Sequence, residues 1–138
     1  MENCSNGAVA GAVRVWLKFE GLAVLVLSVL LYRYTHTSWW TFGILLLTPD
    51  LSMLAYLANP RAGSISYNVV HSYVLPVALA IIAIATDRSA MAPYFLIWTA
   101  HIGLDRALGY GLKYPNAFGS THIDTLRRKA AGAPASAI

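Results

Sequence analysis

The apolar residues of the chain fall into four long runs that are separated by short polar turns. The runs cover about residues 15–34, 38–57, 66–86 and 90–112. Each is long enough for the roughly 20 mainly apolar residues that an α-helix needs to cross a bilayer. Turn-forming residues at 36–38, 59–63 and 87–89 separate the runs. We therefore predict an all-α integral membrane protein, a four-helix bundle whose sequential helices are antiparallel neighbours.

The composition excludes several other classes of protein. Of the 138 residues 57% are hydrophobic and 12% are charged, about half the charged fraction of a soluble domain. High hydrophobicity also excludes a disordered chain. The single cysteine, Cys4, excludes a fold held together by disulfides within the chain. The net charge of +4 is not gathered in a basic patch interleaved with aromatic residues, so no nucleic acid partner is expected.

The basic residues predict the orientation of the helices. Most lie at one side of the predicted bundle, at positions 14, 18, 61, 113 and 127–129, and only positions 33 and 88 lie at the other. By the positive-inside rule both termini are cytoplasmic. We divide the chain into an N-terminal cytoplasmic segment (1–13), a four-transmembrane-helix domain (14–112) and a polar, basic cytoplasmic tail (113–138), which is expected to contact membrane lipid headgroups.

Five acidic or histidine side chains interrupt the apolar runs, and they are Glu20, Asp50, His71, His101 and Asp105. Counted along straight helices, four of them lie roughly 8–12 Å from the cytoplasmic ends, and His101 lies one turn deeper than Asp105. An ionisable group inside a membrane span is costly unless it is paired or hydrated. Their presence at similar depth on four helices predicts a polar cavity in the cytoplasmic half of the bundle.

Local spacing strengthens the prediction of a cavity. His101 and Asp105 are four residues apart and share a helix face, as do Tyr67 and His71. Pro49 removes a backbone donor directly before Asp50, so a kink or an opened turn is expected there. Gly103 allows a neighbouring backbone to approach closely near the same level.

Three segments of the sequence carry a resemblance to a known family. They are residues 49–57 (PDLSMLAYL), 67–73 (YNVVHSY) and 101–115 (HIGLDRALGYGLKYP). From about residue 20 to 122 the chain resembles a family of small bacterial membrane proteins described only as domain of unknown function forty-two-sixty. The resemblance implies four helices, a bacterial cytoplasmic membrane location, and motif residues at Glu20, Asp50, Asn68, His71, His101, Asp105 and Arg106. The basic tail at 127–129 departs from the family pattern.

The favoured hypothesis is a membrane-integral enzyme, a cyclase or isomerase. Its substrate is a lipophilic small molecule, such as a terpenoid or an epoxide, that reaches it from the cytoplasmic leaflet. Buried carboxyl groups with differently shifted proton affinities act as acid and base, and no cofactor is required. The candidate catalytic residues are Glu20, Asp50, His71, His101 and Asp105. The candidate substrate-binding residues are Tyr56, Tyr67, Asn68, Trp98, Arg106 and Tyr110.

Three alternatives stay open. His71, His101, Asp105 and Asp50 are suitable zinc or iron ligands, whereas a haem between the two histidines is disfavoured because their counted depths differ by about two turns. A proton-coupled transporter would form a homo-oligomer and use Glu20, although the outer half of the bundle offers no polar path. A small scaffold protein would use the same residues for stability alone.

Overall fold

The structure is a computed structural model that describes residues 11–113, and this part of the chain is helical without a β-strand. Five α-helices follow one another as α1 (Ala12–Arg33), α2 (Trp39–Leu46), α3 (Pro60–Val70), α4 (Val74–Ala85) and α5 (Ala92–Leu108). Two 3₁₀ segments, Thr48–Leu57 and Ser89–Met91, follow α2 and α4. The predicted segment 1–13 lies almost wholly outside the described residues, as does the predicted tail from residue 114 onward.

Two or three of the described helical segments are long and apolar enough to cross a membrane. Ala12–Arg33 and Trp39–Leu57 are each long and apolar enough to cross one, and the bent pair α3 and α4 makes a third crossing if it counts as one span. Large apolar side chains cover the outside of the molecule, including Trp40 at 83% and Ile84 at 75% exposure. A soluble protein rarely exposes so much contiguous apolar surface. The 17-residue α5 has only the minimum length for a crossing, so the four-span bundle with two cytoplasmic termini stays a prediction.

Helices α1 and α5 form the most extensive pairing of the fold. A Cβ atom added to Gly103 would lie 2.8 Å from the carbonyl oxygen of Gly21 and from the amide nitrogen of Leu25, so only glycine fits there. This confirms the close approach that the sequence predicted at Gly103. Further along, the hydroxyl groups of Ser28 and Thr99 are 3.0 Å apart. The two helices are antiparallel, and α5 contributes the core residues Ile97, Ala100 and Ile102.

The third predicted span differs most from its expectation. The sequence placed residues 59–63 in a turn and a continuous helix over 66–86, but Pro60 begins α3 and the helix breaks at residues 71–73 with a bend of 44°. Proline suits the first turn of a helix, where its missing N–H would have no partner, and Asn59 caps that turn by accepting the amide of Ala62 at 2.8 Å. The fourth predicted span is shorter than expected, because α5 ends at Gly109 in a left-handed conformation with φ of 100°.

Candidate metal centre

Four ionisable side chains converge on one point between the 3₁₀ helix Thr48–Leu57, the end of α3, and α5. They are Asp50, His71, His101 and Asp105. The Nε2 atoms of the two histidines are 3.1 Å apart. Asp50 Oδ1 lies 3.4 Å from His71 Nε2 and 3.6 Å from His101 Nε2. Asp105 Oδ2 lies 3.6 and 3.8 Å from the same two atoms. All four atoms lie within 4.8 Å of one another, so the structure brings together four of the five predicted ionisable residues.

The backbone at Pro49 places Asp50 in this cluster. Helix α2 ends at Leu46, and the chain continues as a ten-residue 3₁₀ helix with buried Pro49 in its first turn. Long 3₁₀ stretches are uncommon because their hydrogen bonds are poorly aligned. The predicted disturbance at Pro49 is thus present as a change of helix type, and it confirms the expectation of an altered turn beside Asp50.

The break between α3 and α4 places His71. This residue ends α3, and its amide donates to the carbonyl of Tyr67 at 2.8 Å. A break frees backbone carbonyl groups, which must find donors where no water reaches them. Trp98 donates its indole N–H to the carbonyl of Val70 at 2.8 Å, and Arg106 approaches the carbonyl of His71 with Nη2 at 3.4 Å. Side chains of α5 therefore stabilise the break that presents His71.

A backbone contact fixes the ring of His71. Its Nδ1 atom is 3.0 Å from the carbonyl oxygen of Tyr67, and since a carbonyl only accepts, Nδ1 carries the proton. The Nε2 atom of the neutral ring then presents a lone pair toward the cluster. Metal-binding histidines are typically held in this way by a hydrogen bond from the other ring nitrogen. The Nδ1 atom of His101 is buried and has no hydrogen-bond partner among the described residues.

Tyr67 supports the cluster from the side of α3. Its ring stacks on that of His71 with centroids 3.8 Å apart, and its hydroxyl donates to Asp105 Oδ2 at 3.2 Å. The sequence predicted a substrate contact for Tyr67, but the ring is only 3% exposed. The phenol thus orients one carboxylate and one imidazole of the cluster.

Lys113 is a neighbour of the cluster, although its position in the sequence predicted only a part in the orientation of the helices. Both ends of the Asn68 amide hold its backbone, at 2.7 Å to the amide N–H and 2.8 Å to the carbonyl. Its Nζ atom lies 4.2 Å from the ring centroid of Tyr67 and 5.3 Å from that of Tyr56. Burial lowers the pKa of Lys113, whereas the carboxylates Asp105 and Asp50 oppose that shift. Lys113 lies in the segment 101–115 that carries the family resemblance, but its place beside the cluster depends on the turn at Gly109, which brings it back onto α3.

Glu20 is the predicted ionisable residue that the structure leaves outside the cluster. It is exposed and lines a separate cavity of about 460 Å³ with Tyr73 and Arg106 between α1, α4 and α5. Of the other predicted substrate contacts, Trp98 lines a different cavity with Pro49 and Val70, and Tyr110 is 56% exposed. The ring of Tyr56 packs against Gly63 and lies beside Lys113.

The predicted depth difference between His71 and His101 was wrong, because it was counted along an unbroken helix.

The comparisons with known proteins give a family and nothing more specific. The family model described as "Domain of unknown function (DUF4260)" matches residues 14–126, which is most of the chain. No curated protein and no solved structure matches the sequence. The match includes every residue of the Asp50, His71, His101 and Asp105 cluster, and the chain is a member of the DUF4260 family.

Proposed function

We propose that this protein is a membrane metalloprotein that holds one divalent transition-metal ion between Asp50, His71, His101 and Asp105. The observation that carries the proposal is the set of five distances of 3.1–3.8 Å between their ligand atoms. A tetrahedral ion bonded to nitrogen and oxygen at about 2.0–2.2 Å holds its ligands about 3.3–3.6 Å apart. The four atoms therefore surround a space of the size that such an ion fills.

Direct hydrogen bonds account less well for the same arrangement. Four of the five distances are 3.4 Å or longer, beyond the 2.7–3.2 Å of ordinary N–H···O bonds. Each Nε2 atom also faces a second nitrogen and two carboxylate oxygens at similar distances, although one N–H points to only one acceptor. A central cation attracts all four atoms at once.

The donor set favours zinc or ferrous iron. Two imidazoles and two carboxylates suit both ions, and two histidines with one carboxylate form the usual ligand set of non-haem iron enzymes. The side chains differ in exposure, at 3% for each histidine, 18% for Asp105 and 44% for Asp50. Asp50 is thus the ligand that a water molecule or a substrate would displace most easily, which gives the centre a catalytic rather than a purely structural character.

Metal analysis of the full chain purified in detergent tests the proposal. We expect close to one zinc or iron per chain and less than a tenth of that in the variant His101→Asn. His36→Asn is the matched control, because His36 is exposed in the turn before α2 with φ of 54°, a conformation that asparagine tolerates. Metal-free protein, with no uptake after incubation with zinc or ferrous salts, would refute the proposal.

The second candidate function is acid–base chemistry by the same four residues without a metal. The reaction would be a cyclisation or isomerisation of an uncharged lipophilic molecule. It is favoured by the unequal environments of the two carboxyl groups, since Asp105 accepts from Tyr67 and Asp50 is half exposed. One carboxyl group would add a proton to the substrate and a second group would remove one, so that atoms and charge balance. Full turnover by metal-free protein would select this candidate.

A further inference from the structure

A cavity of about 380 Å³ lies beside the cluster, between α2, the end of α3 and the first half of α5. Its lining includes Pro49 and Val70, which directly precede Asp50 and His71 in the chain, and Ile97 and Trp98, one turn before His101. Three of the four proposed metal ligands thus lie next to lining residues of this cavity, either in the chain or one helical turn away. The volume falls within the roughly 300–1,000 Å³ of small-molecule sites.

The lining of this cavity carries no charged side chain. The hydroxyl of Thr48 already donates to the carbonyl of Leu45 at 2.7 Å, and the indole of Trp98 donates to Val70. The other polar side-chain group in the lining is the hydroxyl of Tyr94, whose side chain is 46% exposed. A charged ligand body would lose its hydration there without compensation, whereas an apolar one would gain from burial.

Resting on the proposed metal centre, we infer that this cavity binds the apolar body of an uncharged lipophilic molecule whose polar end reaches the metal at the Asp50 side. The surrounding apolar surface favours access from the bilayer, where such a molecule is concentrated. Lining residues next to Asp50 and His71 in the chain distinguish this cavity from the groove on the outside of α1 that Phe19, Val26 and Leu27 line. That groove adjoins none of the four ligands.

Cobalt-substituted protein and a series of straight-chain alkyl hydroxamates test the inference. The hydroxamate group binds the metal, so the visible spectrum of tetrahedral cobalt reports coordination, and the alkyl tail measures the cavity. Leu45→Trp fills the cavity from α2, and Val70→Leu narrows it with a smaller change. Leu27→Trp adds the same ring to the outer groove as the control.

For acetohydroxamate we expect equal dissociation constants in all variants. With longer tails the ratio of the Leu45→Trp constant to the wild-type constant should rise, since each buried methylene contributes about fourfold, and should reach tenfold or more for octanohydroxamate. Val70→Leu should give an intermediate ratio and Leu27→Trp a ratio of one. Micelle partitioning cancels in each ratio, because it is the same for every variant.

The possible failures of the inference and of the metal centre are distinguishable. If cobalt and acetohydroxamate bind but the ratio stays at one for every tail, the cavity holds no part of the ligand and the inference is overturned. Equal ratios for Leu27→Trp and Leu45→Trp would overturn it as well, since they would indicate a general effect on the micelle. If no cobalt binds, the metal centre itself is refuted, and the inference with it.

Discussion

Two groups of polar side chains on these helices differ sharply in how they are arranged. The ligand atoms of the proposed ligands from the 3₁₀ helix, α3 and α5 lie within 4.8 Å of one another, and both histidines are buried. Glu20 of α1, in contrast, is exposed beside Arg106 and Tyr73 at a separate cavity. Similar depth along a helix is therefore not enough to bring side chains together.

Convergence in this protein depends on interruptions of the helices. Asp50 follows a proline where α2 gives way to a 3₁₀ helix, and His71 ends a broken span. Helix α1 runs unbroken over 22 residues, and it contacts α5 through the close approach at Gly21 and the hydroxyl of Ser28. Irregular backbone at membrane depth is tolerated where it lines protein or a cavity, and both interruptions lie at the cluster.

The largest expected effect is the loss of thermal stability when the metal is removed from the cluster. A ligand present at about 1,000 times its dissociation constant stabilises the folded state by about 4 kcal/mol. A strong chelator should therefore lower the thermal midpoint of the purified protein, as followed by circular dichroism in detergent. Readdition of zinc or ferrous ion should restore it.

Asp105→Asn should abolish this response, because it removes a ligand, while Asp87→Asn should keep it. Asp87 is exposed in the turn before α5, with φ of 57°, which asparagine also tolerates. A chelator response that is the same in both variants would show that the stabilising ion binds elsewhere.

A smaller effect is expected at the contact between α1 and α5. In Gly21→Ala the new Cβ would meet Arg106 Cβ and lie 2.8 Å from the amide nitrogen of Ala107, so the free energy of unfolding should fall by about 1–3 kcal/mol. Gly43→Ala is the control, with no atom within 4 Å of the new methyl group, and should be neutral or slightly stabilising. The folded fraction of Gly21→Ala should still bind one metal per chain, because α1 supplies no ligand. A loss of metal in that fraction would tie α1 to the site.

The amino-acid sequence identified most residues of the cluster, but it did not predict which of them meet in space. Charges within apolar runs identified Asp50, His71, His101 and Asp105, since each would be costly in a membrane without a partner. The four-residue spacing of His101 and Asp105 placed them on one face of α5. The break at 71–73 has a local cause in Pro76, which lacks the N–H that would bond to the carbonyl of Ser72 in a continuous helix. The meeting of His71 with His101 depends on how α3 packs against α5, which no local signal predicts. Lys113 was missed because a long-range clamp by Asn68 holds it.

The smallest expected effect lies at Glu20, and it tests the contrast directly. Glu20→Gln removes a carboxylate that resembles Asp50 in the sequence but belongs to the other group. Because Glu20 is exposed and outside the cluster, its loss should change the zinc dissociation constant by less than twofold. Asp50→Asn, the matched substitution of a ligand, should raise that constant by tenfold or more. Competition with a fluorescent zinc chelator measures both. If Glu20→Gln weakens binding as much as Asp50→Asn does, the two polar groups form one site, and the separation between them argued from the helix interruptions is wrong.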